Sequence, residues 1–209
     1  MKMTIEREGL KFALPLLAAG VLALFFFWPL GVFLLLLAAG VALFFRETVA
    51  GLSFAPGQIV SPASGRVIEI REMEETEFLR GKARRVAIFM SILDEHVNYS
   101  PVAGVVAHLR HRPGSFQRAF LDRAGEANEA MEIGLKGEGK EVLMRQIAGI
   151  IARRIVCRVR PGQRLSGGQK LGLIRFGSRV DLYLPRESVL RVRTGDQVRG
   201  GQTVLGELR

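Results

Sequence analysis

LIRFGSRVDLYLP, residues Leu173–Pro185, reads as a strand, a Gly-Ser step and a second strand. Val180, Leu182 and Leu184 alternate with Asp181 and Tyr183, the period of a half-buried strand. Glycine inside a strand pattern marks a bulge or a close backbone approach. The Gly177-Ser178 step therefore interrupts two good strand segments for a reason that the flanking sequence has to supply.

Around this stretch the chain is rich in short β segments punctuated by glycine. QIVSPASGRVIEIRE reads as strand, turn, strand, and RRVAIFMSIL as a buried strand. GVVAHLRHR and IAGIIARRIVCRVR follow in the same style, whereas FQRAFLDRAGEANEAMEIGL, interrupted by Gly125, predicts only short helical pieces. VRPGQRLSGGQKL (159–171) aligns with VRTGDQVRGGQTV (192–204), and both read as strands joined by glycine turns. The predicted fold is mainly β (α+β), a glycine-rich barrel or sandwich-like domain with an internal repeat.

The N-terminus is different. Phe12–Phe45 contains no charged residue, a run well beyond the roughly 18 that argue for membrane insertion. Trp28-Pro29 divides it into arms Phe12–Trp28 and Leu30–Phe45. Three architectures compete: a hairpin of two short helices, one kinked tilted span, and a signal peptide, whose apolar core of about 7–15 residues is far shorter. Lys2, Arg7 and Lys11 flank one end and Arg46 the other, which favours the hairpin with both ends cytoplasmic. The expected division is a membrane anchor, 1–46, and a soluble domain, 47–209, at the cytoplasmic face of the cell membrane.

The 209 residues carry a formal charge of +10. Basic clusters at 80–85, 108–118 and 152–164 fit attraction to anionic lipid. Nucleic acid is the generic partner of such charge, but an anchor that fixes the domain at a lipid surface argues against it. The single cysteine, Cys157, excludes an intramolecular disulfide and reads as a small core residue.

His96, in SILDEHVNYSP, ends a buried strand with Asp94 two residues earlier. His108 and His111 lack such a context. No Cys/His spacing for zinc, no phosphate-loop glycine pattern and no nucleophile elbow is present.

VSPASGRV, IFMSILDEHVNYSPVAG, PGSF, NEA and GLIRFGSRVDLYLP occur in the order and approximate spacing of the short-form phosphatidylserine decarboxylase proenzymes, which this chain resembles over roughly residues 55–209. The resemblance implies self-cleavage between Gly177 and Ser178 into a β chain, 1–177, and an α chain, 178–209, which remain associated. The Ser178 hydroxyl would attack the Gly177 carbonyl, and elimination and hydrolysis would leave a pyruvoyl group at position 178, a self-made covalent cofactor with no metal. That ketone would form a Schiff base with the headgroup amine of phosphatidylserine, release carbon dioxide and yield phosphatidylethanolamine. His96 matches the family histidine and would carry acid–base work. Two positions depart from the family pattern. Ser64 stands where an aspartate usually orients the histidine, and Tyr99 where some longer relatives carry a second histidine; Asp94 is a candidate substitute for the missing carboxylate. The basic clusters, Arg112 and Arg118 among them, are candidates for gripping the phosphate. The archaeal ether-lipid counterpart, archaetidylserine, has the same headgroup, and a membrane-tethered β-rich binding or scaffold module is the non-enzymatic alternative. Homo-oligomer formation is left open.

Overall fold

The computed structural model describes residues 2–49, 51–117, 124–137, 139–149, 155–174 and 178–209. The chain divides into two compact units, 1–51 and 52–209.

The first unit contains β1 (Lys2–Ile5), α1 (Arg7–Phe26), α2 (Trp28–Phe44) and β2 (Arg46–Val49). Glu6 opens α1 by accepting the Glu8 N–H at 2.7 Å. The helix stops at Phe27, whose φ of −153° is non-helical, and Pro29 sits in the first turn of α2, where a missing N–H costs nothing. Antiparallel pairing of β1 with β2, Lys2 opposite Val49 and Ile5 opposite Arg46, brings the two ends of the unit together, so the helices form a hairpin. The two helices approach closely at glycine: a Cβ on Gly31 would come within 2.6 Å of Leu24. Their outer surface is Leu and Phe, with Leu22, Phe25, Phe26, Phe33 and Leu36 exposed. By length and composition α1 can cross a membrane, its 20 residues rising about 30 Å; α2, at 17 residues, is shorter.

The second unit runs β3 (Gln58–Val60), β4 (Gly65–Glu75), β5 (Gly81–Met90), β6 (Val97–Tyr99), β7 (Gly104–Arg112), α3 (Ala124–Ala127), β8 (Ala130–Gly137), β9 (Lys140–Ile147), β10 (Ile155–Cys157), β11 (Arg164–Leu165), β12 (Lys170–Ile174), β13 (Ser178–Pro185), β14 (Val189–Leu190), β15 (Gln197–Val198) and β16 (Val204–Glu207). It is mainly strand, as the glycine-punctuated pattern predicts, and its principal sheet curls into a half-barrel. The eight strands lie in the order β11-β7-β8-β9-β13-β5-β4-β15. Two three-stranded sheets, β10-β12-β6 and β14-β16-β3, complete the unit. The core gathers Ile88 and Met90 from β5, Ile133 from β8, Met144 from β9 and Val180, Leu182 and Leu184 from β13 with Ile59, Leu171 and Leu205 of the smaller sheets. Cys157 packs against this core, half-buried. Within the segment 116–135, the described residues form one short helix, α3, and then β8; EAMEIGL is strand, not helix, because Ile133 and Leu135 alternate into the core.

The glycine repeat is a structural repeat. Gly162 and Gly195 have φ of 80° and 102°, and Gly168 and Gly201 of 73° and 67°. Gly162 N–H donates to Val106 O as Gly195 N–H does to Val67 O, and Gly168 N–H donates to Ser100 O as Gly201 N–H does to Ser61 O. The partners reveal a second repeated segment. Ser61-Pro62-Ala63-Ser64-Gly65 and Ser100-Pro101-Val102-Ala103-Gly104 make the same turn, each serine hydroxyl donating two residues on, to Ala63 O and Val102 O. The two turns also bond each other reciprocally, Val60 N–H to Pro101 O at 2.7 Å and Tyr99 N–H to Pro62 O at 2.9 Å. The domain is thus two similar halves related by an approximate two-fold, with β6 and the first Ser-Pro turn at their junction.

Candidate active site

Ser178 is the first residue of β13, which lies between β5 and β9 and is laddered to both. Strand alternation puts Ser178 on the same face as Val180, Leu182 and Leu184, the core face. Its side chain has no solvent exposure, and its hydroxyl lies 3.3 Å from the Met90 sulfur, Met90 being its register partner at the end of β5. Gly177 lies outside the described residues, as does Arg118.

His96 is placed by backbone pairing with β12. Its carbonyl accepts the Ile174 N–H at 3.2 Å, and Val97 pairs with Leu173, so the histidine is tied to the strand that leads into the Gly177-Ser178 step. The ring is buried, and Nδ1 lies 2.8 Å from the main-chain oxygen of Asp94. A carbonyl can only accept, so Nδ1 carries the proton and Nε2 of the neutral ring carries the lone pair. The Asp94 carboxylate is turned elsewhere. It accepts from Ser91 N–H at 2.8 Å and Ser91 Oγ at 2.7 Å and from Gln197 Nε2 at 3.2 Å. Asp94 thus positions the imidazole through its backbone, while its side chain fixes the turn before it. Tyr99 donates to buried Glu95 at 2.6 Å on the other flank.

The first Ser-Pro turn packs over β6. Gly65, with φ of 151°, must be glycine because a Cβ there would run into the Phe89 carbonyl. Next to it the Ser64 hydroxyl accepts the Gly200 N–H at 2.9 Å. In the other half of the domain Ala103 occupies the equivalent place, so this side-chain bond belongs to one half alone. The turn also supplies Pro62 O to Asn98 Nδ2 at 3.4 Å. Asn98 Nδ2 in turn lies 3.8 Å from Met90 Sδ, and Gln146 Nε2 donates to Asn98 Oδ1 at 2.7 Å. Ser178, Met90, Asn98 and Gln146 therefore form one connected buried set, held between β5, β6, β9 and β13.

The opposite face of β13 corrects the half-buried reading of this strand: residues 178–184 are buried on both faces. Arg179 grips Asp181 with two bonds, 2.5 and 3.0 Å, and Arg85 sits 3.8 Å from the same carboxylate while pairing with Glu69. Arg145 bonds Glu132 at 2.9 Å and the Tyr183 hydroxyl at 2.9 Å. Burial works against the Arg85 charge, but Asp181 and Glu69 outweigh it and hold its pKa above the ordinary value. Burial, reinforced by Asp181, raises the Tyr183 phenol. Charge pairing among these groups offsets the cost of burying an Asp/Arg/Tyr face where alternation alone implies solvent.

His108 and His111 lie on β7, with Glu132 at 3.6 Å and Glu129 at 3.2 Å respectively, as members of the polar face and its edge. Arg112 donates to Gly125 O at 2.6 Å, and burial lowers its pKa. No group of three or more His, Cys, Asp or Glu side chains suited to a metal ion occurs among the described residues. Asn98 and Gln146 were not singled out from the sequence. A signal existed for Gln146: it is polar at a position in line with Val142 and Met144, where the alternation of β9 calls for an apolar residue.

The family model described as phosphatidylserine decarboxylase matches residues 37–206. A phosphatidylserine decarboxylase proenzyme of Symbiobacterium thermophilum is 48% identical over 205 residues, 98% of this chain and 95% of that protein. One of Carboxydothermus hydrogenoformans is 43% identical over 212 residues, 99% of this chain and 98% of its own length. One of Magnetococcus marinus is 37% identical, covering 98% and 95%. Matches of this extent mean that the chain belongs to the phosphatidylserine decarboxylase family.

Proposed function

We propose that this protein is a membrane-anchored phosphatidylserine decarboxylase that cleaves itself between Gly177 and Ser178 and works through a pyruvoyl group at position 178. The observation that carries the proposal is the burial of Ser178 at the head of a central strand, its hydroxyl against the Met90 sulfur that Asn98 of the histidine segment also approaches.

In maturation, the Ser178 oxygen attacks the carbonyl just before it and an amide becomes an ester. His96 Nε2 is the base for the hydroxyl proton, its ring oriented by the Asp94 carbonyl. Met90 sulfur, a weak acceptor, leaves that hydroxyl proton easy to remove. The residues suit a pyruvoyl group. Position 178 is fully buried and held by its pairing with Met90 of β5, and a planar ketone is no bulkier than the serine it replaces. When present, that group supplies a ketone that condenses with the substrate amine and takes up the electron pair left as carbon dioxide departs. His96 then delivers the proton that the same substrate carbon receives. Burial excludes water that would compete for that carbon.

Lipid access is supported by Ile92 and Leu93, 52% and 82% exposed on the turn just ahead of His96. The hairpin termini, with Lys2, Arg7, Lys11 and Arg46, favour a cytoplasmic location for the domain. The two chains stay together because β13 is bonded on both edges.

Denaturing electrophoresis and intact mass test the proposal. The purified natural chain should run as 1–177 and a blocked 178–209, and should release carbon dioxide from phosphatidylserine in detergent micelles. Ser178→Ala should stay in one piece and be inactive, because alanine cannot form the ester. A cut Ser178→Ala chain overturns the mechanism. A natural chain that stays whole favours a tethered scaffold instead.

A further inference from the structure

Gln146 and Asn98 are both wholly buried. Their orientation is fixed by chemistry. The Pro62 carbonyl can only accept, so Asn98 presents its nitrogen there and its oxygen to Gln146. Gln146 must answer with its nitrogen, which leaves its oxygen, Oε1, pointing away from the pair. That oxygen is buried with no hydrogen-bond partner among the described residues. Native interiors rarely leave such an atom unsatisfied, and exceptions call for a functional explanation.

The position of the atom suggests what satisfies it. Gln146 lies opposite Val180 in the β9–β13 ladder, hence one diagonal step from Ser178 on the same face of the sheet. Long side chains reach across that spacing. Asn98 connects the pair to Ser178 through the Met90 sulfur, which both approach. A lone acceptor beside position 178 needs a donor. Within a serine phospholipid headgroup the phosphodiester and the carboxylate have none to give; the amino nitrogen does.

We propose that Gln146 is a substrate-binding residue: its Oε1 accepts an N–H of the headgroup amine and holds that nitrogen against position 178, with Asn98 as the positioning residue that keeps the oxygen turned toward the substrate. This rests on the proposed function and names the part of the site that reads the amine. It also gives selectivity, since a quaternary headgroup such as choline has no N–H to offer.

Gln146→Met keeps length and burial but removes the acceptor; Gln146→Glu, kept protonated by burial, donates its O–H to Asn98 Oδ1 and keeps an acceptor oxygen of the same reach. Self-cleavage involves no substrate amine, so the Met variant should mature to 1–177 and 178–209, and its 178–209 chain should still label with phenylhydrazine. Its KM for phosphatidylserine in nonionic micelles should rise about ten- to a hundredfold, the range of a hydrogen bond to a charged group. The mass-detected yield of lipid-linked 178–209 chain, trapped with cyanoborohydride at sub-saturating lipid, should fall in proportion. Gln146→Glu should have a KM within a few-fold of that of the natural protein. A matured Met variant with natural KM and trapping yield overturns the inference alone and assigns the buried oxygen to a trapped water. Should Gln146→Met fail to mature, Gln146→Glu decides, and a KM raised beyond that range there overturns the inference. A natural chain that neither cleaves nor releases carbon dioxide overturns the proposed function, and the inference falls with it.

Discussion

Replacing Asp181 with alanine tests whether the buried charged face holds β13 in place. The carboxylate has no exposed surface, and it faces two guanidiniums that are themselves buried, Arg179 by two bonds and Arg85 at 3.8 Å. Removing one member of a buried ionic set costs about 3–5 kcal/mol, because charge is left in a medium that cannot solvate it. An exposed pair is worth no more than about 1 kcal/mol. For a folding unit of this size the larger loss lowers Tm by roughly 6–20 °C. The measurement belongs on a Ser178→Ala background, where the chain stays whole, with unfolding followed by circular dichroism in urea. Asp181→Asn separates charge from shape: it fills the same space and still accepts a hydrogen bond, but should recover little of the loss. A cost below about 1 kcal/mol in both variants would show that water reaches this face and that the pairing has no part in fixing the strand that presents Ser178.

Three further outcomes are expected. His96→Ala should slow self-cleavage or turnover by about 10²- to 10⁴-fold, read from gel time courses, while His108→Ala and His111→Ala stay near the natural rates; equal tolerance at all three histidines removes the role of His96. Ser64→Asp keeps an acceptor for the Gly200 N–H and adds negative charge to the turn over β6, so pulse–chase labelling should show faster maturation with little change in turnover; identical rates would confine Ser64 to its bond with Gly200. The Tyr183 phenol, raised by burial and by Asp181, contributes stability that is complete below the ordinary phenol range and is lost as pH rises through the folded value. Urea midpoints of the uncut protein should therefore decline above about pH 10, and Tyr183→Phe should flatten that decline after an initial loss from its bond to Arg145.

What was legible in the sequence followed from periodicity and from spacing along the chain. The strand character of 178–185, the break before Pro29 and the glycine repeat each leave a local pattern, and each corresponds to an element or turn. The reciprocal Ser-Pro turns were equally written there, as Ser-Pro-x-x-Gly at 61–65 and 100–104, but two short matches gain meaning only when their backbones meet. The polar face was not legible, because alternation specifies which side a residue takes and not whether that side is covered. Asn98 and Gln146 were hidden for a related reason: an amide becomes informative only when its partners are known, and here they come from the Ser-Pro turn and from β5. Asp94 shows the limit of reasoning from residue type, since its useful atom for His96 is the main-chain oxygen that any residue has.

The position of β13, with β9 on one edge and β5 on the other, has a consequence for the order of folding reactions. While the chain is continuous, inserting the middle strand is an intramolecular event whose rate does not depend on protein concentration. With the proposed cut before Ser178 made, the same insertion after unfolding would require two molecules to meet, and the short partner would have to enter the middle of a sheet whose remaining strands cannot pair across the gap without it. Thermal midpoints of cut protein should then depend on concentration, as for any associating pair, while those of Ser178→Ala should not. The persistence of the mature form would thus be set by how slowly it opens, with little recourse to reassembly.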